Sequence, residues 1–172
     1  MNLVLSDFVF DRITEHARSA YPEECCGLLV GEVPPEFCEK SGVLRISESR
    51  PMGNTWQSSQ KARRYQLDPL TFARMESEFH GTSRGVIGIY HSHPDVAAWP
   101  SPFDLEQAWP CYAYLIVSVK QGTIADARVW GLSEDRRSFW EGVLDQGHGQ
   151  VAENGGTNES QGSPAYRAET VR

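Results

Sequence analysis

The sequence lacks an excess of basic residues, a long apolar run and a basic N-terminal leader. Its formal net charge is −7 at pH 7, so we predict no nucleic-acid partner, because such proteins usually carry a basic face. The best local basic patch is the segment Lys61-Ala62-Arg63-Arg64. No apolar run approaches the roughly 20 residues that cross a bilayer, so no membrane partner is predicted. The start, MNLVLSDFVF, does not resemble a signal peptide, and we therefore expect a cytoplasmic protein.

The sequence also has few cysteines, and their spacing fits no familiar framework. The chain has 4 of them, Cys25, Cys26, Cys38 and Cys111, and contains no C-x-x-C pair. This spacing suits neither a disulfide framework nor a structural zinc knuckle. In a reducing compartment we expect small, mostly buried thiols.

What is present fits a single α/β domain. The length of 172 residues and the 40% apolar and 23% charged content are typical of a globular protein with one core. Helical spacing and capping residues predict helices over 6–19, from Asp68 to Gly81, and over 101–108. Apolar or alternating runs predict strands over 26–30, 43–49, 85–90, 113–119 and 124–132, with 138–144 a last strand or helix. This order predicts a mixed sheet flanked by helices over residues 1–144. Residues 145–172 have little apolar surface to bury, so we predict a disordered tail.

The stretch HSHPDVAAWPSPFD, residues 91–104, carries the strongest chemical signal. His91 and His93 end an apolar strand and share one face of it, so both imidazoles can reach one ion. Asp104 follows at the start of a predicted helix and can supply a carboxylate. Two histidines and an aspartate leave a fourth tetrahedral position for water, which is typical of catalytic zinc. We therefore predict a Zn²⁺ cofactor that activates water for hydrolysis.

Such a site needs a group that moves protons, and two neighbouring acids compete for the role. Glu23 and Glu24 both precede the apolar run that begins at Cys26, where burial would raise a carboxyl pKa. The residues alone do not choose between them. Ser101 can stabilise an oxyanion, but its spacing to Asp104 equally predicts a helix cap. We expect loop 50–62 and Trp99 to contact substrate, although Trp99 can equally be a packing anchor.

The pattern of His91, His93, Ser101 and Asp104 resembles the signature of the JAMM (MPN-plus, Mov34/PAD-1) metalloproteases, in their small bacterial single-domain form. The segment PEECCGLLVG, residues 22–31, resembles the upstream element of that family. The resemblance implies a cytidine-deaminase-like fold and selects Glu24 as the catalytic acid and base. It implies that His91, His93 and Asp104 bind zinc and that Ser101 stabilises the oxyanion. It further implies cleavage of a peptide or isopeptide bond at or after the Gly-Gly terminus of a ubiquitin-like or sulfur-carrier protein.

Three other functions compete with this interpretation. RadC-like proteins associated with DNA repair carry a similar histidine and aspartate arrangement, but the acidic composition and the PEECCGLLVG segment argue against that role. A non-catalytic MPN scaffold usually lacks the metal ligands, which are complete here. A zinc amidase or deaminase acting on small molecules also fits the metal ligands, because a fold does not fix its substrate. The sequence leaves the oligomeric state open.

Overall fold

The protein is described from a computed structural model that covers residues 1–35, 37–57 and 59–147. Three helices are interspersed among the first five strands of the described chain, and only strands follow. The elements are β1 (Asn2–Ser6), α1 (Asp7–Ala20), β2 (Cys26–Glu32), β3 (Val43–Met52), α2 (Pro69–Glu78), β4 (Arg84–Pro94), α3 (Pro102–Gln107), β5 (Ala113–Lys120), β6 (Thr123–Leu132), β7 (Phe139–Glu141) and β8 (Val143–Gly147).

The strands form one mixed sheet whose two edges come together. The sheet has 8 strands in the order β7-β6-β5-β4-β2-β3-β1-β8. β4 and β5 are parallel, whereas β2 is antiparallel to both β3 and β4. β7 and β8 lie at opposite ends of this order, yet only Gly142 separates them in the chain. The Gly142 N–H donates to the Val129 carbonyl, and the Val143 N–H donates to the Met1 carbonyl. The sheet is therefore nearly closed on itself.

Helices cover both faces of the sheet, and each face has its own apolar core. Helix α1 packs on one face through Val9, Ile13 and Ala17, together with alternate side chains of the strands. Phe72 of α2 and Ala108, which follows α3, belong to the core on the other face. The prediction of a mixed sheet flanked by helices is confirmed.

Each helix begins at a residue whose side chain caps it. Ser6 accepts from the Val9 N–H at the start of α1, and Asp68 accepts from the Thr71 N–H at the start of α2. These bonds satisfy backbone donors that have no partner within the helix. No helix in the described part of the chain has the length and apolar character needed to cross a membrane.

The chain termini contain one element that was not predicted and one that replaces a prediction. No strand was predicted before the first helix, but Asn2–Ser6 forms β1, parallel to both β3 and β8. Residues 145–147 were assigned to a disordered tail, but they belong to β8, where Leu5 pairs with Gln146. The pairing with β1 stabilises this polar segment, which has little apolar surface of its own. The remainder of the predicted tail, residues 148–172, lies outside the described residues.

The expectation of free thiols was wrong for two cysteines. Cys38 and Cys111 form a disulfide across a sequence separation of 73 residues. It joins the connection between β2 and β3 to the loop before β5, two segments that only the folded sheet brings together. Cys25 and Cys26 are free and buried, as expected.

Candidate metal centre

The two histidines lie on the central strand β4, which pairs with β2 on one side and β5 on the other. His91 and His93 point to the same face because successive strand residues alternate. His91 is fully buried and His93 is 5% exposed. Their Nε2 atoms lie 3.0 Å apart. The surrounding strands hold both rings, so this half of the site is part of the sheet itself.

Asp104 reaches the histidines from the first turn of α3. Ser101 is the N-cap residue: its hydroxyl oxygen accepts from the Asp104 N–H at 3.1 Å, and the Ser101 N–H donates to Asp104 Oδ2 at 2.6 Å. This reciprocal arrangement is a capping box. It fixes the Asp104 side chain, which is 4% exposed. The capping box that begins α3 therefore also positions Asp104, the third candidate ligand.

The three side chains fit one small cation. Asp104 Oδ1 lies 3.3 Å from His91 Nε2, and Asp104 Oδ2 lies 3.5 Å from His93 Nε2. Ligand atoms about 2.0–2.1 Å from a tetrahedral zinc ion are separated by about 3.3 Å. The histidine nitrogens lie 3.0 Å apart, and each lies 3.3 or 3.5 Å from one of the two Asp104 oxygens, so each of these separations is close to that value. These three residues can hold a metal ion, and imidazole with carboxylate is a ligand set that suits zinc.

The two imidazole rings have different surroundings. His93 Nδ1 lies 3.0 Å from the Ala97 carbonyl oxygen. Because a carbonyl only accepts, this contact holds the proton of the neutral imidazole on Nδ1 and leaves its Nε2 lone pair free for an ion. His91 Nδ1 is buried without a partner among the described residues. The Tyr65 ring stacks on the His91 ring instead, with centroids 4.5 Å apart.

Strand pairing places Glu24 beside the same cluster. Cys26 pairs with His91, and the Cys25 N–H donates to the Ser92 hydroxyl at 2.9 Å. Continued in the same antiparallel register, Glu24 lies opposite His93. Glu24 is 5% exposed. By contrast, Glu23 is exposed, and its carboxylate lies 3.9 Å from Lys61 Nζ. Of the two acids that the sequence left open, Glu24 is the buried one.

Burial sets the protonation of the Glu24 carboxyl. It raises the pKa of Glu24 to about 8, with the charge of His93 opposing the shift and that of Asp104 adding to it. In a buried site, the charged form of a carboxyl loses hydration that the neutral form does not need. Without a nearby cation, Glu24 therefore holds its proton at neutral pH.

The pKa values of the three candidate ligands shift in different directions because these side chains interact with one another. Burial lowers the pKa of His91, and the Asp104 charge only partly opposes this. Burial also acts to lower the pKa of His93, but its bonds and charge interaction with Asp104 raise it overall. Burial acts to raise the pKa of Asp104, yet the two histidines outweigh it and hold that pKa well below its usual range. Asp104 is therefore a carboxylate ready to bind a cation.

The other two residues predicted for the site, Ser101 and Trp99, have different surroundings. Ser101 caps α3, and its hydroxyl donates to none of the described residues, so its proton is free for another acceptor. Trp99 is 55% exposed. Its ring packs against Trp130 with centroids 5.0 Å apart, and the Arg128 guanidinium lies 5.1 Å from its ring centroid. It therefore serves as a packing anchor with one surface open.

Two residues next to the site were not anticipated from the sequence. One is Tyr65, which stacks on His91. The other is Asn54, whose side-chain N–H groups donate to the carbonyls of Glu24 and Arg64 at 3.1 and 3.0 Å. Asn54 thereby joins the backbone of Glu24 to the far side of the loop between β3 and α2. Nothing in a single sequence distinguishes such a residue from other polar loop residues.

Comparison with known proteins identifies related sequences and a related fold. Residues 7–132 match the family described as prokaryotic homologs of the JAB domain. The chain is 33% identical over 113 residues to a desampylase of Haloferax volcanii, covering 63% of this chain and 74% of that protein. It is 30% identical over 119 residues to a CysO-cysteine peptidase of Mycobacterium tuberculosis, covering 69% and 74% respectively. A solution structure of a Desulfitobacterium hafniense protein has the same fold, with a TM-score of 0.70 and 22% identity over 90% of this chain and 99% of that one.

Proposed function

The chain belongs to the JAB (JAMM/MPN) family through its match to the prokaryotic homologs of the JAB domain, and from this premise we propose that it is a zinc-dependent peptidase. Its substrate is a ubiquitin-like or sulfur-carrier protein with a Gly-Gly C-terminus, cleaved at or after that end through a peptide or isopeptide bond. The names of the two relatives, a desampylase and a CysO-cysteine peptidase, support this class of reaction.

The observation that carries the proposal is a cluster of three candidate ligands beside a buried acid. His91, His93 and Asp104 lie within 4.8 Å of one another through their ligand atoms. Glu24 lies close enough to interact electrostatically with His93 and Asp104. Zinc held by these ligands would lower the pKa of a water molecule and polarise the scissile carbonyl. A metal site with only a structural role would not require a proton-accepting group beside an open position.

Glu24 and Ser101 have separate tasks in the reaction. Glu24 accepts a proton from the attacking water and returns it to the amine that leaves, which is general base followed by general acid catalysis. The Ser101 hydroxyl donates a hydrogen bond to the oxyanion of the tetrahedral intermediate. Its oxygen already accepts from the Asp104 N–H, so the cap fixes the position of the donor. Capping and catalysis therefore use different atoms of the same hydroxyl group.

The loop between β3 and α2 and the exposed surface of Trp99 are proposed to contact the carrier's tail. The Glu24 N–H donates to the Lys61 carbonyl at 2.7 Å, which attaches this loop directly to the catalytic acid. The Trp99 N–H donates to the carbonyl of Ala97, the residue that orients His93. A tail held by either segment would thus enter close to the metal ligands.

The test is cleavage of Gly-Gly-ended carrier proteins with C-terminal extensions or isopeptide-linked partners, followed by intact mass. We expect cleavage after the Gly-Gly end, loss of activity with a chelator and recovery on adding zinc. Glu24→Gln should lower turnover by about 10²–10⁴-fold, whereas the matched change Glu23→Gln should have little effect. A zinc-loaded protein that cleaves none of these substrates would contradict the proposal. In that case a binding scaffold or a small-molecule hydrolase would be favoured.

A further inference from the structure

A cavity of about 570 Å³ opens beside Ser101, and the reaction described above gives no role to the two arginines in its wall. It lies between the loop before α2 and the start of α3. Its walls are formed by Ser59, Gln60, Ala62, Arg63, Arg64, Ser101, Pro102 and Phe103. Its volume lies in the range of small-ligand sites. Because Ser101, Pro102 and Phe103 are the three residues that precede Asp104, the cavity borders the metal centre.

The cavity is positively charged. Arg63 and Arg64 line it, and none of the described residues in its wall is acidic. None of the ion pairs among the described residues involves Arg64. This contrasts with Arg50, Arg84 and Arg128, whose guanidinium groups each contact a carboxylate. The Arg64 charge is thus placed beside the site without a carboxylate to balance it.

Two aromatic rings hold the Arg64 guanidinium in place. Its central carbon lies 4.7 Å from the centroid of Phe103 and 5.5 Å from that of Trp56. Those two rings pack edge to face, with centroids 5.2 Å apart. A guanidinium that packs its face on an aromatic ring keeps N–H groups at its edge, where they match the two oxygens of a carboxylate. The indole N–H of Trp56 is itself buried without a partner among the described residues.

We propose that this cavity is a subsite for the free α-carboxylate of a single-residue leaving group, with Arg64 as its specificity-determining residue. The inference rests on the proposed peptidase function. The α-carboxylate of the residue after the scissile bond lies only the N–Cα and Cα–C bonds beyond the scissile nitrogen, so a carboxylate subsite must border the oxyanion donor. The wall shared by Ser101 and Arg64 meets that requirement. A carrier bearing one terminal amino acid is therefore a better substrate than one bearing an amide or a longer extension.

The test compares two carriers that end in Gly-Gly and one further residue, with that residue either a free acid or a C-terminal amide. For the zinc-loaded wild type we expect kcat/KM to be at least about tenfold higher for the acid, because a hydrogen bond to a charged group is lost in the amide. Arg64→Gln should bring the ratio of acid to amide close to one. Arg64→Lys should keep part of the preference, and Arg74→Gln on α2, which removes the same charge elsewhere, should leave the ratio unchanged.

The outcomes separate this inference from the proposed function. Cleavage of both carriers at equal rates by the wild type would overturn the subsite and leave the peptidase function standing. An Arg64→Gln variant that slows both carriers equally would also overturn it, because lost packing does not change the ratio. Rapid cleavage of a carrier ending in glutamate amide would overturn the assignment to an α-carboxylate. Failure to cleave any carrier would overturn both the function and the subsite.

Discussion

Zinc binding should displace a proton from Glu24, and the raised pKa of this carboxyl sets how many protons are released. The pKa of Glu24 is raised to about 8 by burial, so at pH 6, about two units lower, the metal-free protein holds this proton in ~99% of molecules. A dication at His91, His93 and Asp104 stabilises the Glu24 carboxylate and expels the proton. We therefore expect the wild type to release about one proton more than Glu24→Gln on binding zinc at pH 6. Since the metal-free form binds more protons, zinc affinity should rise with pH up to about 8.

Isothermal titration calorimetry in two buffers with different ionisation enthalpies measures this release, because the difference in observed heat is proportional to the protons taken up by the buffer. Glu23→Gln is the matched control and should release as many protons as the wild type, since Glu23 is exposed and paired with Lys61. Equal release by the wild type and Glu24→Gln would refute the reasoning. It would mean that Glu24 is already ionised before the metal binds, or that its carboxyl lies too far away to respond to the ion.

Two further predictions concern the scaffold. Gly27→Ala should lower the free energy of unfolding by about 1–3 kcal/mol, because an added Cβ would overlap the Tyr90 ring. Gly53→Ala is the control: a Cβ there meets nothing within 4 Å, so the free energy of unfolding should change by less than about 0.5 kcal/mol. Chemical denaturation measures both, and equal effects would contradict the packing argument. Alkylation followed by intact mass should modify neither free thiol in the native protein, because burial raises their pKa values to about 11 and 12. Unfolding should expose those 2 thiols, and reduction should then expose the disulfide-bonded pair; labelling of all four without reduction would refute the disulfide.

Local patterns were sufficient for the elements that carry the site. Apolar runs located β2, β4 and β5, and capping residues located the starts of the three helices in the described residues. The spacing of His91 and His93 on a strand, and of Ser101 and Asp104 in one helical turn, depends only on neighbouring residues. For this reason, these side chains could be identified from the sequence alone as candidates for a single site.

The features that were missed depend on contacts between distant segments. β1 and β8 are short strands: β1 pairs with β3 and with β8, and the pairing of β8 with β1 spans nearly the whole described chain. The disulfide joins two connections that meet only in the folded sheet, so the cysteine spacing gave no sign of it. The stacking of Tyr65 on His91 likewise requires the loop before α2 to fold back over the sheet. Periodicity and capping describe single elements and carry no information about such contacts.

The proposed function depends on one zinc ion held by His91, His93 and Asp104 with a position left open for water. Zinc-edge anomalous diffraction from crystals of the zinc-loaded protein tests this most directly. We expect one peak about 2.0–2.2 Å from His91 Nε2, His93 Nε2 and a carboxylate oxygen of Asp104, with a solvent molecule as the fourth ligand. Stoichiometric zinc located elsewhere, or a fourth protein ligand that closes the site, would contradict a catalytic metal centre.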